Sequence, residues 1–148
     1  MKIILGADHG GYELKNNIAE WLKTQGHEIK DIGTFSPESV DYPDYAKIVG
    51  EEVVKGNFDK GILVCGSGVG IAIAANKVKG VRAVLCHDVV MARLSREHND
   101  TNVIAMGGRF IAKDLAYEIL NVWLNTEFSG GRHARRIEKI SSLEELET

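Results

Sequence analysis

Glycine takes alternate positions in Cys65-Gly66-Ser67-Gly68-Val69-Gly70, a run that leads from an apolar stretch into a short helical one. Glycines there let a ligand approach the backbone closely, and N–H groups at a helix start present the positive end of its dipole. The run therefore reads as an anion site, although the same glycines also suit a tight turn. Cys65 stands at its mouth, a setting that favours the thiolate. A thiolate serves as nucleophile or general base. The plainer reading of Cys65 is a small buried hydrophobe.

Several anion chemistries are excluded by single residues. A dinucleotide fingerprint needs Gly or Ala at position 71, which is Ile71, although Asp88 stands at about the right distance beyond it. The lysine and hydroxyl residue of a Walker loop are absent. A cysteine-phosphatase cradle would place Arg at position 71, and a receiver domain would place Asp where Cys65 stands.

Other polar residues gather at a few places. Asp8-His9 precedes Gly10-Gly11, and Asp8 reads either as a site residue or as a helix N-cap. Gly107-Gly108-Arg109 and His87-Asp88 follow later apolar runs. His98-Asn99-Asp100 reads as a surface turn after a helix, or as a group delivered to a partner's cleft. Arg132-His133-Ala134-Arg135-Arg136 is the one concentrated basic segment. On a helix Arg132 and Arg136 share a face, and two guanidiniums suit a phosphate; a solvated basic face is the alternative. Cys86 reads as a buried strand residue. No two histidines stand at helical ligand spacing, so no metal site is expected.

The elements that must position these residues alternate. Strands are expected at Lys2–Ala7, Glu28–Asp31, Lys60–Cys65, Arg82–Cys86 and Asn102–Met106. Helices are expected at Tyr12–Thr24, from Asp41 as cap to about Lys55, and at Val69–Asn76, Asp88–Glu97 and Ile111–Thr126. Leu14, Ile18, Trp21 and Leu22 mark one apolar face. The basic segment after Gly130-Gly131 is a further helix candidate, and Ser142-Leu143-Glu144-Glu145 reads as a capping box or a frayed tail. Alternation of this kind predicts an α/β fold: a three-layer α/β/α sandwich with a five-stranded parallel sheet, Rossmann-like. Ligands then bind beyond the carboxyl ends of the strands, at a switch point between strands one and three.

Length and composition bound the rest. The chain has 148 residues, 44% hydrophobic and 26% charged, with net charge −3. One domain of 1–148 is expected, with no room for a separate cofactor module. The acidic balance argues against nucleic acid and polybasic membrane binding. Two cysteines make no disulfide framework. The opening run Met1–Gly6 is too short for a signal peptide and no stretch nears the ~20 apolar residues of a membrane span, so the cytoplasm is the expected location.

Taken together, six motifs resemble the type B ribose-5-phosphate isomerases, within the wider ribose/galactose phosphate isomerase family. They are Asp8-His9-Gly10-Gly11, Asp41-Tyr42-Pro43, Cys65 through Ile71, Ala74-Ala75-Asn76-Lys77, Ser95 through Asp100, and Gly130-Gly131-Arg132-His133. The resemblance spans nearly the whole chain. It implies strand order 2-1-3-5-4 and a cofactor-free aldose–ketose isomerisation of a phosphorylated sugar, ribose 5-phosphate to ribulose 5-phosphate. It further implies that Cys65 moves the proton between C1 and C2, and that His98, assisted by Asp8, opens the furanose ring. The N–H groups of Gly66, Ser67, Gly68, Val69 and Gly70, with the Ser67 hydroxyl, would hold the enediolate. His9, Arg132 and Arg136 would hold the phosphate, and Asn99 and Arg109 would contact sugar or phosphate. Relatives that act on hexose 6-phosphates keep a second substrate class open, and a flavodoxin-like binding module is the non-enzymatic alternative. Cys65 belongs to the carboxyl end of the sheet, whereas His98 and Arg132 leave from the amino end. One site can use all three only if a second copy contributes, so a homodimer with composite sites is expected, with pairing into tetramers left open. The segment from about 130 to 148 is expected to pack on that partner.

Overall fold

Apolar residues fill both faces of the central strands, the pattern of a parallel sheet covered by helices on each side. The computed structural model describes residues 1–146. Its strands are β1 (Lys2–Ala7), β2 (Glu28–Asp31), β3 (Lys60–Cys65), β4 (Ala83–Leu85) and β5 (Val103–Gly107). Its helices are α1 (Tyr12–Thr24), α2 (Tyr42–Val54), α3 (Val69–Ala75), α4 (Val89–Asn99), α5 (Lys113–Asn125) and α6 (Arg132–Leu143), followed by a 3-10 turn at Glu144–Leu146. All strand pairs are parallel, in the order β2-β1-β3-β5-β4. The order reverses between β1 and β3, as expected.

Alternate strand residues feed two cores. Ile3, Leu5, Ile62, Val64, Ile104 and Met106 pack under α1, α4 and α5, around the buried Trp123. Ile4, Leu63, Cys65, Val103 and Ala105 pack under α2 and α3. Each large side chain so buried stabilises the fold by about 1.5–3 kcal/mol relative to exposure. Trp123 Nε1 donates to Thr101 Oγ1 at 2.9 Å, so its one polar atom is satisfied. The ammonium of Lys15, fully buried, donates to Asp31 Oδ2 at 2.6 Å and lies 4.7 Å from the centroid of the Phe35 ring. That pair ties α1 to the end of β2, where Asp31 Oδ1 also accepts the Gly33 N–H at 2.9 Å.

Three expectations need correction. β4 is shorter than Arg82–Cys86: it spans Ala83–Leu85, the Arg82 N–H ahead of it goes to Asn102 Oδ1 at 2.8 Å, and beyond it the Cys86 N–H still donates to the Ala105 carbonyl at 3.0 Å. His98-Asn99 is not a turn. α4 runs on to Asn99, and Asp100, with φ 45°, closes it in the left-handed conformation. Ser142 caps nothing: it lies in the last turn of α6, donating to the Lys139 carbonyl at 2.7 Å. Positions 147 and 148 of the tail expected on a partner lie outside the described residues.

Candidate active site

Three loops meet at the carboxyl end of the sheet. Cys65, the last residue of β3, is buried, and its Sγ accepts the Gly68 N–H at 3.1 Å. Gly68 has φ +82°, and a side chain there would meet the Met106 carbonyl carbon at 2.8 Å, so only glycine fits both the turn and the approach. Ser67 Oγ accepts the Val69 N–H at 3.2 Å. Two of the five N–H groups expected to face an anion are therefore used inside the loop, and Gly68's goes to the sulfur.

The neighbouring loops are tied to this one. Gly108 N–H donates to the Cys65 carbonyl at 2.8 Å, Arg109 N–H to that of Gly66 at 3.1 Å, and Asp8 N–H to that of Val64 at 3.2 Å. The Arg109 guanidinium crosses Gly66 so closely that a Cβ there would stand 2.9 Å from Nη1. Asp8 is buried, and its Oδ1 accepts the Gly10 N–H at 2.9 Å. The N-cap of α1 is Gly11, so Asp8 holds the turn rather than the helix. His9 Nδ1 accepts the Val40 N–H at 3.3 Å, which places the proton of a neutral ring on Nε2. Asp8, His9, Cys65, Ser67, Gly66, Gly68, Val69, Gly70 and Arg109 thus share one end of the sheet.

The other expected residues lie at the opposite end. His98 and Asn99 occupy the last turn of α4, and Arg132 and Arg136 lie four residues apart in the first turns of α6. The Ser129 N–H donates to the Glu97 carbonyl at 3.0 Å, docking the approach to α6 against α4. The His133 ring stacks on that of His98, with centroids 4.3 Å apart. Partial loss of solvent around the His133 ring, then the positive charges of His98, Arg132 and Arg136, hold its imidazole below the ordinary pKa of 6.5, with Glu97 opposing. In the β3–β5 register Gly61 faces Val103 and Cys65 faces Gly107. Four strand residues at about 3.3 Å each separate the two ends by about 13 Å along the strands. One chain does not bring the two groups together.

Three further residues support these two groups. Tyr42, from the Asp41-Tyr42-Pro43 motif, lies against Gly70, where a Cβ would stand 2.6 Å from its Cζ. His133 was visible only as part of the basic run. His87 Nε2 accepts the Gly107 N–H at 2.9 Å and so supports the turn that carries Arg109. Its place after β4 was the available signal.

The profile of the family described as Ribose/Galactose Isomerase matches residues 3–140. Ribose-5-phosphate isomerase B of Escherichia coli is 49% identical over 144 residues, covering 97% of each chain. The structure of Clostridium thermocellum ribose-5-phosphate isomerase B superposes with TM-score 0.98 at 53% identity, covering 100% of both chains. That of the Mycoplasma genitalium ribose-5-phosphate isomerase B with bound ribulose 5-phosphate gives 0.93 at 42% identity, covering 99% of this chain and 97% of that one.

Proposed function

The chain belongs to the ribose/galactose isomerase family, and on that footing we propose that it interconverts ribose 5-phosphate and ribulose 5-phosphate in sites shared between two copies. The observation that carries this reading is the sulfur of Cys65, which sits at the carboxyl end of β3 at the mouth of the glycine loop and accepts the Gly68 N–H.

Cys65 removes the proton from C2 of the open aldose and returns it to C1, so no hydride leaves the sugar. A well-placed general base is worth about 100- to 10,000-fold in rate. Charge develops on the two substrate oxygens, and donors aimed at it stabilise the transition state by about 3–4 kcal/mol each. The N–H groups of the Gly66–Gly70 loop that remain unshared, with the Ser67 hydroxyl, serve that role. Before this step His98 of the second copy, with Asp8, opens the furanose ring. The Nε2–H of His9 and the guanidiniums of Arg132 and Arg136 hold the phosphate, with Asn99 and Arg109 beside the sugar.

The dimer reading draws on two observations. The expected site residues sit at opposite ends of the sheet. α6 buries none of its side chains on its own chain and exposes Ile140 and Leu143, an apolar face suited to a partner copy. A cytoplasmic setting follows from the chemistry: a free thiol base is kept reduced there.

The test is a coupled assay of ribose 5-phosphate against allose 6-phosphate, with wild type and Cys65→Ala. The expected result is pentose turnover, lost in Cys65→Ala. Hexose turnover alone would move the assignment to a hexose 6-phosphate isomerase. No turnover of either sugar would end the isomerase reading.

A further inference from the structure

α4 ends in an unusual way. Asp100 is the one non-glycine residue with positive φ among the described residues. Glycine is the common choice for closing a helix in this conformation, because it carries no Cβ. An aspartate here suggests that its carboxylate is needed, and two arginines meet it. Arg96 Nη1, from the same helix, donates to Asp100 Oδ1 at 2.7 Å and to the Thr101 carbonyl at 2.7 Å. Arg96 Nε reaches the Thr126 carbonyl at 3.1 Å. Arg82, on the approach to β4, has Nη2 3.5 Å from Asp100 Oδ2. Its Nε donates to the Asn99 carbonyl at 2.9 Å, and its Nη2 to the Asp100 carbonyl at 2.9 Å. These are carbonyls that a helix end leaves without partners.

The grip surrounds His98 and Asn99. From the β4 side Arg82 holds the backbone of Asn99. From the α6 side the Ser129–Glu97 bond and the His133 ring hold the turn that carries His98. The Asn99 side chain remains exposed.

We propose that Asp100, clamped between Arg82 and Arg96, is a positioning residue that sets where His98 faces in the partner copy's site. The proposal rests on the shared-site reading above. It acts on ring opening, the step given to His98, and not on proton transfer by Cys65.

The two steps can be measured apart. Ribose 5-phosphate must open its ring before it reacts. Ribulose 5-phosphate, whose C5 oxygen carries the phosphate, cannot form a furanose, so exchange of its C1 proton in deuterium oxide reports proton transfer alone. Asp100→Gly keeps the left-handed backbone and removes the carboxylate. A catalytic group displaced by about 1 Å loses up to about 100-fold, so turnover of ribose 5-phosphate should fall about 10- to 100-fold while C1 exchange stays within about twofold. Asp100→Asn should fall between. Arg82→Lys, which keeps the charge but cannot bridge both carbonyls, should show the same split and carries the test if Asp100→Gly melts early. Equal losses in both reactions, or no loss in either, would overturn the clamp. His98→Ala in parallel separates the two failures: if it shows no split either, the fault lies in the site reading rather than in the clamp.

Discussion

The ring of His133 lies 13° from parallel to that of His98, at a centroid distance of 4.3 Å. Stacking of this kind takes solvent from the His133 ring and sets it beside the positive charges of His98, Arg132 and Arg136. The His133 pKa is accordingly held down in the folded protein. The unfolded chain then binds the proton at a higher pH than the folded one. The stability that neutral His133 permits is present above about pH 6.5 and is lost as pH falls through the folded value. The melting temperature should therefore drop as pH falls below about 6.5, and should drop less in His133→Asn. Equal slopes in the two proteins would show that the stack does not couple to protonation.

Arg132 and Arg136 lie on one face of α6 and are assigned to the phosphate. Charge-assisted hydrogen bonds of this kind are worth about 1.5–3 kcal/mol, so Arg132→Gln should raise KM for ribose 5-phosphate about 10- to 100-fold with a smaller change in kcat. Any slow turnover of unphosphorylated ribose should be unaffected. A loss shared equally by both sugars would remove Arg132 from the phosphate.

The Lys15–Asp31 pair is asymmetric, since the lysine side chain is fully buried and that of Asp31 is 20% exposed. Asp31→Ala strands an ammonium in the interior and should destabilise by about 3–5 kcal/mol. Lys15→Met leaves a carboxylate that water can still reach, and should cost less. Denaturant unfolding of both variants checks the order; a reversed order would contradict it.

A Cβ on Gly107 would stand 2.6 Å from the Ser67 carbonyl oxygen and 2.8 Å from its carbon, both backbone atoms. Gly107→Ala should push the end of β5 off the Ser67 loop, destabilising by about 1–3 kcal/mol. Activity should fall further than that loss of stability explains, because the loop beside Cys65 moves with it. Wild-type turnover in a folded Gly107→Ala would show that this approach is dispensable.

Much of this architecture is legible in the sequence for identifiable reasons. Leu14, Ile18 and Leu22 mark α1 because they bury one stripe against the sheet. Ile62, Leu63 and Val64 mark β3 because consecutive apolar residues serve both faces of a parallel sheet. Alternating strands and helices also determine which end of the sheet each loop reaches, and that places Cys65 and His98 apart. The end of α4 is misread at Glu97 because no glycine marks it; Asp100 takes the left-handed turn with two arginines that are distant or unremarkable in sequence. The bonds from Gly68 to Cys65 and from Val69 to Ser67 depend on side-chain rotamers, which residue spacing does not convey. The position of β4 and β5 relative to each other rested on family resemblance, and the observed order agrees with it.

Subunit exchange separates a site shared between two copies from one built within a single chain. Cys65→Ala and His98→Ala proteins, each lacking ribose 5-phosphate turnover alone, are mixed after dissociation and allowed to reassociate. In a symmetric dimer with shared sites, each mixed dimer carries one site with both defects and one with neither, so random reassociation should restore about a quarter of wild-type activity. Verified mixed dimers that stay inactive would place each site within a single chain, because such sites cannot be repaired by a partner.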